Sequence, residues 1–250
     1  MRRRQFLESA GAAIGSATLA GGAVAATQQA SAAGEPPGAL AAGDWQGLRK
    51  LFPLTRDYVH LATFLLASHP TPVSAQIDKH RRGLDDNPAD YLHGLGPGID
   101  IEVAKAAANY MGGTWSQIAL TDSTTMSLAT MYSGILVGAG DELLQTVHDH
   151  YSTDMSLAHK AERSGASVRQ VALYDDPARA SVDQCQQRLA DAIGDRTRVV
   201  AVTWVHSSTG VKLPVRALAE VVATANRGRD EKDSILFCVD GVHGFGIENE

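Results

Sequence analysis

From residue 115 onwards, short apolar runs alternate with amphipathic stretches, joined by polar connections of a few residues. No other feature restricts the possible folds as much. Residues 115–121, 142–147, 168–173, 198–204 and 234–240 read as strands. Between them, residues 124–136, 154–163, 181–193 and 214–225 carry helical periodicity. In the 124–136 stretch the spacing places Ala129, Tyr132 and Leu136 on one stripe. The last run, Ile235 to Val239, is apolar at every position. Such a run is buried on both faces, as in a parallel sheet. Strand and helix in alternation with short links give an α/β fold, a mostly parallel sheet with helices on both faces.

The first 110 residues are less regular. Arg3, Arg4, Gln5, Phe6 and Leu7 form a twin-arginine signature, followed by an Ala/Gly-rich run from Ala10 to Ala26. Small residues at Ala23 and Ala25, and at Ala30 and Ala32, offer cleavage sites. Residues 1–33 are therefore expected to be an export leader, placing the mature protein in the periplasm or outside the cell. Residues 34–44 have the composition of a flexible arm, and 48–66 mix helix and strand signals without resolving into either. A helix is expected over 71–82, broken by Asp85, Asp86, Asn87 and Pro88. A second is expected over 101–111, with Ala104, Ala107 and Ala108 on a close-packing face and a stop at Gly112 and Gly113. The net charge of −6 argues against a nucleic-acid partner, which needs a clustered basic surface. Of two cysteines, Cys238 lies in a strand and reads as a small buried hydrophobe, and Cys185 lies in a polar helical stretch. The spacing favours no disulfide over two free thiols.

Chemistry concentrates where the strands end. Asp240 closes the last strand and is followed by Gly241 and, two positions on, His243. A carboxylate there is costly to bury without a partner. Thr121 to Thr125 precede a helix; Ser123, Thr124 and Thr125 form either a plain cap or an anion site. His148, Asp149 and His150 follow the second strand. They could ligate a metal, but no further ligand at suitable spacing follows, so no metal is expected. An imidazole there can also stack on a planar ligand. His206, Ser207, Ser208, Thr209 and Gly210 follow the fourth strand and form a hydroxyl-rich loop. No Gly-x-Ser-x-Gly elbow marks a serine hydrolase. An anion site, a flat side chain, a hydroxyl loop and a buried acid at one sheet edge suit a planar, phosphorylated, pyridine-like cofactor, such as pyridoxal phosphate.

Over residues 61–250 the order and spacing of these clusters resemble the class V aminotransferase family of fold type I pyridoxal-phosphate enzymes, which includes isopenicillin N epimerase-like proteins and cysteine desulfurases. The resemblance implies that Ser123, Thr124 and Thr125 bind the phosphate and that His150 stacks on the ring, with His148 in reserve. It implies that Asp240 meets the ring nitrogen, and that Ser207 and His243 lie near the phenolic oxygen or substrate. Desulfurases usually carry asparagine at the position of Ser207. His243 and the Ser-x-Thr-Gly loop lean towards the epimerase-like branch. The implied catalytic set is His150, Asp240 and His243. The implied activity is transamination, epimerisation or lyase chemistry on an amino acid or primary amine, by a homodimer, with a cysteine desulfurase-like or selenocysteine lyase-like enzyme as the alternative. A non-catalytic exported α/β binding protein is the reading from another class.

The family carries its cofactor on a lysine beyond the Asp-Gly signature, whereas Lys50, Lys79, Lys105, Lys160, Lys212 and Lys232 all precede Asp240. The 250 residues are accordingly expected to be the N-terminal part of a longer polypeptide. The expected division is a leader at 1–33, an N-terminal arm and segment of a small domain at 34–65, and a cofactor-binding large domain at 66–250, ending before that lysine.

Overall fold

A computed structural model describes residues 41, 43–62, 66–96 and 98–248. The expected leader and nearly all of the arm lie outside the described residues. The chain divides into two compact units, one formed within Met1–His60 and Ala67–Arg82 and the other within Leu61–Leu66 and Gly83–Glu250. In the first unit, helix α1 (Trp45–Lys50) is capped by Asp44, which accepts from the Gly47 N–H at 2.7 Å. The Leu51 carbonyl accepts from both the N–H and the hydroxyl of Thr71. This fixes the start of helix α2 (Thr71–Asp86), which runs four residues past the expected end at 82. Gly83, where the second unit resumes, does not stop it; the break comes at Asn87, which caps helix α3 (Pro88–Leu95) of the second unit.

The second unit carries the sheet. Helix α4 (Ile99–Met111) buries Ala104 and Ala108, with Gly112 in the left-handed region at its end. The expected strand at 115–121 does not form. Trp115–Gln117 is a turn of 3-10 helix closed by a Thr114/Gln117 capping box, and the extended residues after it pair with no strand. An apolar run becomes a strand only where a neighbouring edge accepts its hydrogen bonds.

Helix α5 (Thr124–Gly134) leads to strand β1 (Glu142–Thr146). Helix α6 (Tyr151–Ser164), strand β2 (Ser167–Val171) and helix α7 (Val182–Ala192) follow. Strand β3 (Thr197–Thr203), helix α8 (Val215–Ala225) and strand β4 (Leu236–Asp240) complete the unit. All pairings are parallel, in the order β2-β1-β3-β4. Central β1 and β3 are buried almost throughout, while edge strands β2 and β4 are partly exposed, as their positions require.

Alternation along the strands separates two cores. Leu143, Val199, Ala201 and Cys238 join Leu128, Tyr132 and Leu157 from α5 and α6. Leu144, Val200 and Val202 join Cys185 and Leu189 from α7 and Leu218 and Val222 from α8. The stripe of α5 is therefore Leu128 and Tyr132; Ala129 is exposed and Leu136 is 95% exposed, so the expected stripe is displaced. Cys185 is buried, because its polar-looking helix turns a narrow apolar edge to the sheet. Among the described residues no helix is long and apolar enough to cross a membrane.

Candidate functional site

The order β2-β1-β3-β4 has one topological switch point. From β1 the chain crosses to β2 on one side; from β2 it returns past β1 to β3 and then continues to β4. Connections leave β1 and β3 in opposite directions, opening a crevice beyond their carboxyl ends. Asp149 spans that crevice. Its Oδ2 accepts from the Thr146 N–H at 2.6 Å and its Oδ1 from the Thr203 N–H at 2.7 Å, so one carboxylate ties β1 to β3. The side chain is wholly buried, and burial raises its pKa to about 6 against the opposing pull of the two backbone donors.

Asp240, at the end of β4, is 3% exposed. Its backbone carbonyl accepts from Trp204 N–H at 2.9 Å, and its Oδ1 accepts from Val242 N–H at 3.2 Å. The carboxylate makes no other hydrogen bond among the described residues. Beyond it the chain winds through residues 242–247, with Phe245 N–H donating to the Gly241 carbonyl at 2.7 Å. Gly244 lies against the Trp204 indole so closely that a Cβ would stand 2.3 Å from the ring. Partly exposed His243 belongs to this turn.

On the α5 side, Ser123 caps the helix by accepting from the Met126 N–H at 3.2 Å, leaving Thr124 and Thr125 exposed in the first turn. The Thr125 hydroxyl bonds the Ser152 hydroxyl at 3.1 Å, which bonds His150 Nδ1 at 2.9 Å. The expected anion turn and the expected stacking histidine are thus joined through Ser152. His150 also caps α6, which is why that helix begins at Tyr151 rather than at 154. Exposed His150 contrasts with His148, whose ring stacks on Tyr174 at 4.8 Å and 11°. Ser207 is exposed in the loop closed by the Gly210 N–H to His206 carbonyl bond, and bonds to none of the other expected residues.

Asp149, Tyr174, Trp204 and His206 were not among the expected site residues. Asp149 and His206 stand inside the motifs, but their partners lie 54 and 32 residues away, which no local spacing reveals. A tyrosine three residues after a strand carries no signal at all.

The donor set suits an aromatic nitrogen heterocycle bearing a phosphate. An acid with spare accepting capacity stands at one end of the crevice, and a helix N-terminus lined with hydroxyls stands on the α5 side. Among the described residues, the buried Tyr132, Thr153 and Thr203 hydroxyls of the α5/α6 face make no hydrogen bond of good geometry within 3.5 Å. Burial, with Cys238, Asp149 and Asp240 nearby, holds the Tyr132 phenol in its neutral form. Among the described residues no group of three or more His, Cys, Asp or Glu could hold a metal ion.

The aminotransferase class-V family model matches residues 67–248. Isopenicillin N epimerase of Streptomyces clavuligerus is 25% identical over 208 residues, covering 83% of this chain and 50% of that protein. A probable cysteine desulfurase of Aeropyrum pernix is 34% identical over 134 residues, 49% of this chain and 31% of that protein. The chain thus spans half or less of the length of these relatives. Among solved structures, a mutant of C-DES with glycine covalently linked to its PLP cofactor superposes with a TM-score of 0.69. It shares 21% identity, over 79% of this chain and 50% of the other. The cysteine desulfurase of Thermococcus onnurineus gives 0.61 at 19% identity, over 78% and 46%. Both likenesses show the shared α/β fold.

Proposed function

Because the chain belongs to the aminotransferase class-V family, we propose that it binds pyridoxal phosphate at the crevice beyond β1, β3 and β4 and serves an enzyme acting on an amino acid or another primary amine. The observation that carries this reading is buried Asp240 at the same sheet edge as the His150–Ser152–Thr125 chain. When bound, pyridoxal phosphate supplies an electron-withdrawing ring that takes up the electron pair left on the substrate when a bond at its α-carbon breaks.

The protein's own groups then have separate tasks. Asp240 would hold the ring nitrogen, its carboxyl oxygen accepting from the ring N–H. The first turn of α5 holds the phosphate through its free N–H groups and the hydroxyls of Ser123, Thr124 and Thr125. His150, oriented by Ser152, lies flat against the ring and excludes water from that face. Ser207 and His243 serve the phenolic oxygen or the substrate. The epimerase-like branch is favoured by His243 and the Ser-x-Thr-Gly loop, and relatives of that branch match 83% of the chain. Cysteine desulfurase-type chemistry is the second reading, supported by the 34% identity to the Aeropyrum protein. We also propose export by the twin-arginine route, directed by Arg3 and Arg4, and action as a homodimer. Lysine at both arginine positions is expected to retain the protein in the cytoplasm on fractionation.

Pyridoxamine phosphate offers the ring, nitrogen and phosphate without an aldehyde, so it probes this site directly. Titration followed by absorbance and circular dichroism is expected to show saturable binding. Asp240→Ala should weaken it roughly 10- to 100-fold, the worth of one charge-assisted hydrogen bond, and shift the absorption towards that of the unprotonated ring. Equal affinity and an equal spectrum in Asp240→Ala would sink this placement of the ring.

A further inference from the structure

Behind the crevice lies a chain of buried polar side chains to which the cofactor reading gives no task. His206 is fully buried in the loop after β3, and Tyr174, just beyond β2, is 1% exposed. The Tyr174 hydroxyl stands 2.7 Å from His206 Nδ1 and 2.8 Å from the Thr209 hydroxyl. His206 Nε2 faces the Thr146 hydroxyl at 3.5 Å and Asp149 Oδ1 at 4.0 Å.

The direction of these bonds follows from donor counting. Thr209 Oγ1 lies 3.4 Å from the Val211 N–H as its acceptor, so its own proton can go to the Tyr174 oxygen. Tyr174 then donates to His206 Nδ1, which leaves the imidazole proton on Nε2, turned towards a carboxylate. The stacked ring of His148 holds the plane of Tyr174. Burial, with His148 nearby, lowers the pKa of His206 to about 4, which keeps the ring neutral with a single proton to place.

We propose that His206 is a positioning residue: locked by Tyr174 in its Nε2–H form, it steadies the Asp149 carboxylate across the ends of β1 and β3 and thereby sets the seat of His150. This role rests on the reading that His150 lies against the cofactor ring. A carboxylate bridging two backbone N–H groups at a switch point keeps the crevice at a fixed width. Asp149 directly precedes His150 in the chain, so its tilt becomes the tilt of the histidine. The titratable groups around Asp149 are Tyr132 from α5, Tyr174 from the end of β2, His206 from the loop after β3, and His148 and His150 on its own segment. Of these, His206 alone turns a ring nitrogen towards the carboxylate from the loop after β3, 4.0 Å from Oδ1 and beyond direct hydrogen-bond reach, with the Thr146 hydroxyl nearer at 3.5 Å.

The test uses the whole chain, first without ligand. Nitrogen-15 shifts of the histidines report the His206 tautomer, and carbon-13 carboxyl shifts report the titration of Asp149. Tyr174→Phe removes one oxygen, and His206→Leu removes the donor. Both should raise the Asp149 midpoint by about one pH unit, because the ionised form loses the Nε2–H dipole that Tyr174 turns towards it. His206→Gln, which keeps an N–H, should recover part of that shift. The backbone amide signal of His150 should show a step at the Asp149 midpoint that moves with it from variant to variant and is lost in Asp149→Asn. With pyridoxamine phosphate added, the dichroism of the bound ring should follow the same midpoints. An unchanged Asp149 midpoint in Tyr174→Phe, with unfolding temperature and far-ultraviolet dichroism preserved, overturns the proposal, as does a His150 signal indifferent to Asp149. Tyr174→Phe decides alone should His206→Leu fail to fold. Failure of the wild-type protein to bind pyridoxamine phosphate would overturn the cofactor reading instead, and the ligand-free spectra would still decide the role of His206.

Discussion

Asp149 and His206 are both buried, and burial moves their pKa values in opposite directions, to about 6 and about 4. His206 has an ordinary value of 6.5, so below that pH the unfolded chain takes a proton that the folded chain refuses. Stability falls as pH drops from 6.5 to 4. Asp149 has the reverse sign: the folded chain takes the proton before the unfolded one, and stability rises as pH drops from about 6 towards 3.8. Each effect amounts to about 3 kcal/mol at full extent, so in the wild type they largely cancel. Asp149→Asn should therefore lose stability relative to wild type between pH 6.5 and 4.5, and His206→Gln should gain it, by urea unfolding across that range. Identical pH slopes in the three proteins would refute the assignment. Gly244→Ala should cost about 1–3 kcal/mol, because its methyl must displace the Trp204 ring, and should shift the Trp204 emission. The burial of Asp240 at the end of β4 was legible in the sequence, since it closes an apolar run. The roles of Asp149 and His206 were not, since their meaning lies in contacts that only the folded sheet creates.

Element boundaries were legible where one residue decides them. Ser181 caps α7, and Gly165 ends α6 at φ 77°, a conformation that an L side chain rarely adopts. Gly165→Ala should accordingly cost about 1 kcal/mol or more in thermal unfolding. The faces of helices were harder to place. In α5 both the Ala129/Tyr132/Leu136 and the Leu128/Tyr132 stripes fit a helical period, and packing against α6 selects the second. Leu157→Ala in α6, removing a fully buried side chain, should lose about 2–5 kcal/mol in urea unfolding. Leu136→Ala should stay within about 0.5 kcal/mol, since Leu136 is 95% exposed. Comparable losses at both positions would restore the stripe the periodicity proposed. The expected strand at 115–121 fails for another reason. Propensity sets an extended backbone, but a ladder needs an edge, and the pairing order leaves this segment without one.

At the scale of the sheet-bearing unit, alternation of strands and helices indicated a parallel sheet, yet it carried no information about strand order. The order β2-β1-β3-β4 is what places the crevice between β1 and β3, and it also fixes the fate of the two cysteines. Cys185 packs in the core under α7 and α8, and Cys238 in the core under α5 and α6, on opposite faces of one sheet. A disulfide between them would have to pass through the sheet, so both are free thiols even in an oxidising compartment. Burial raises both thiol pKa values, that of Cys238 to about 11, so neither presents a thiolate near neutral pH. Reductant should leave the unfolding temperature unchanged, and a thiol reagent should find two groups in denaturant but react slowly in the native protein. The native rates carry a further consequence. Because β1 and β3 contribute side chains to both cores, neither helical layer can leave without exposing the back of the other's strands. The two thiols should therefore react at one common rate, following the urea dependence of global unfolding. A faster rate at Cys185 would mean that α7 and α8 open alone, and that the sheet does not couple its two faces.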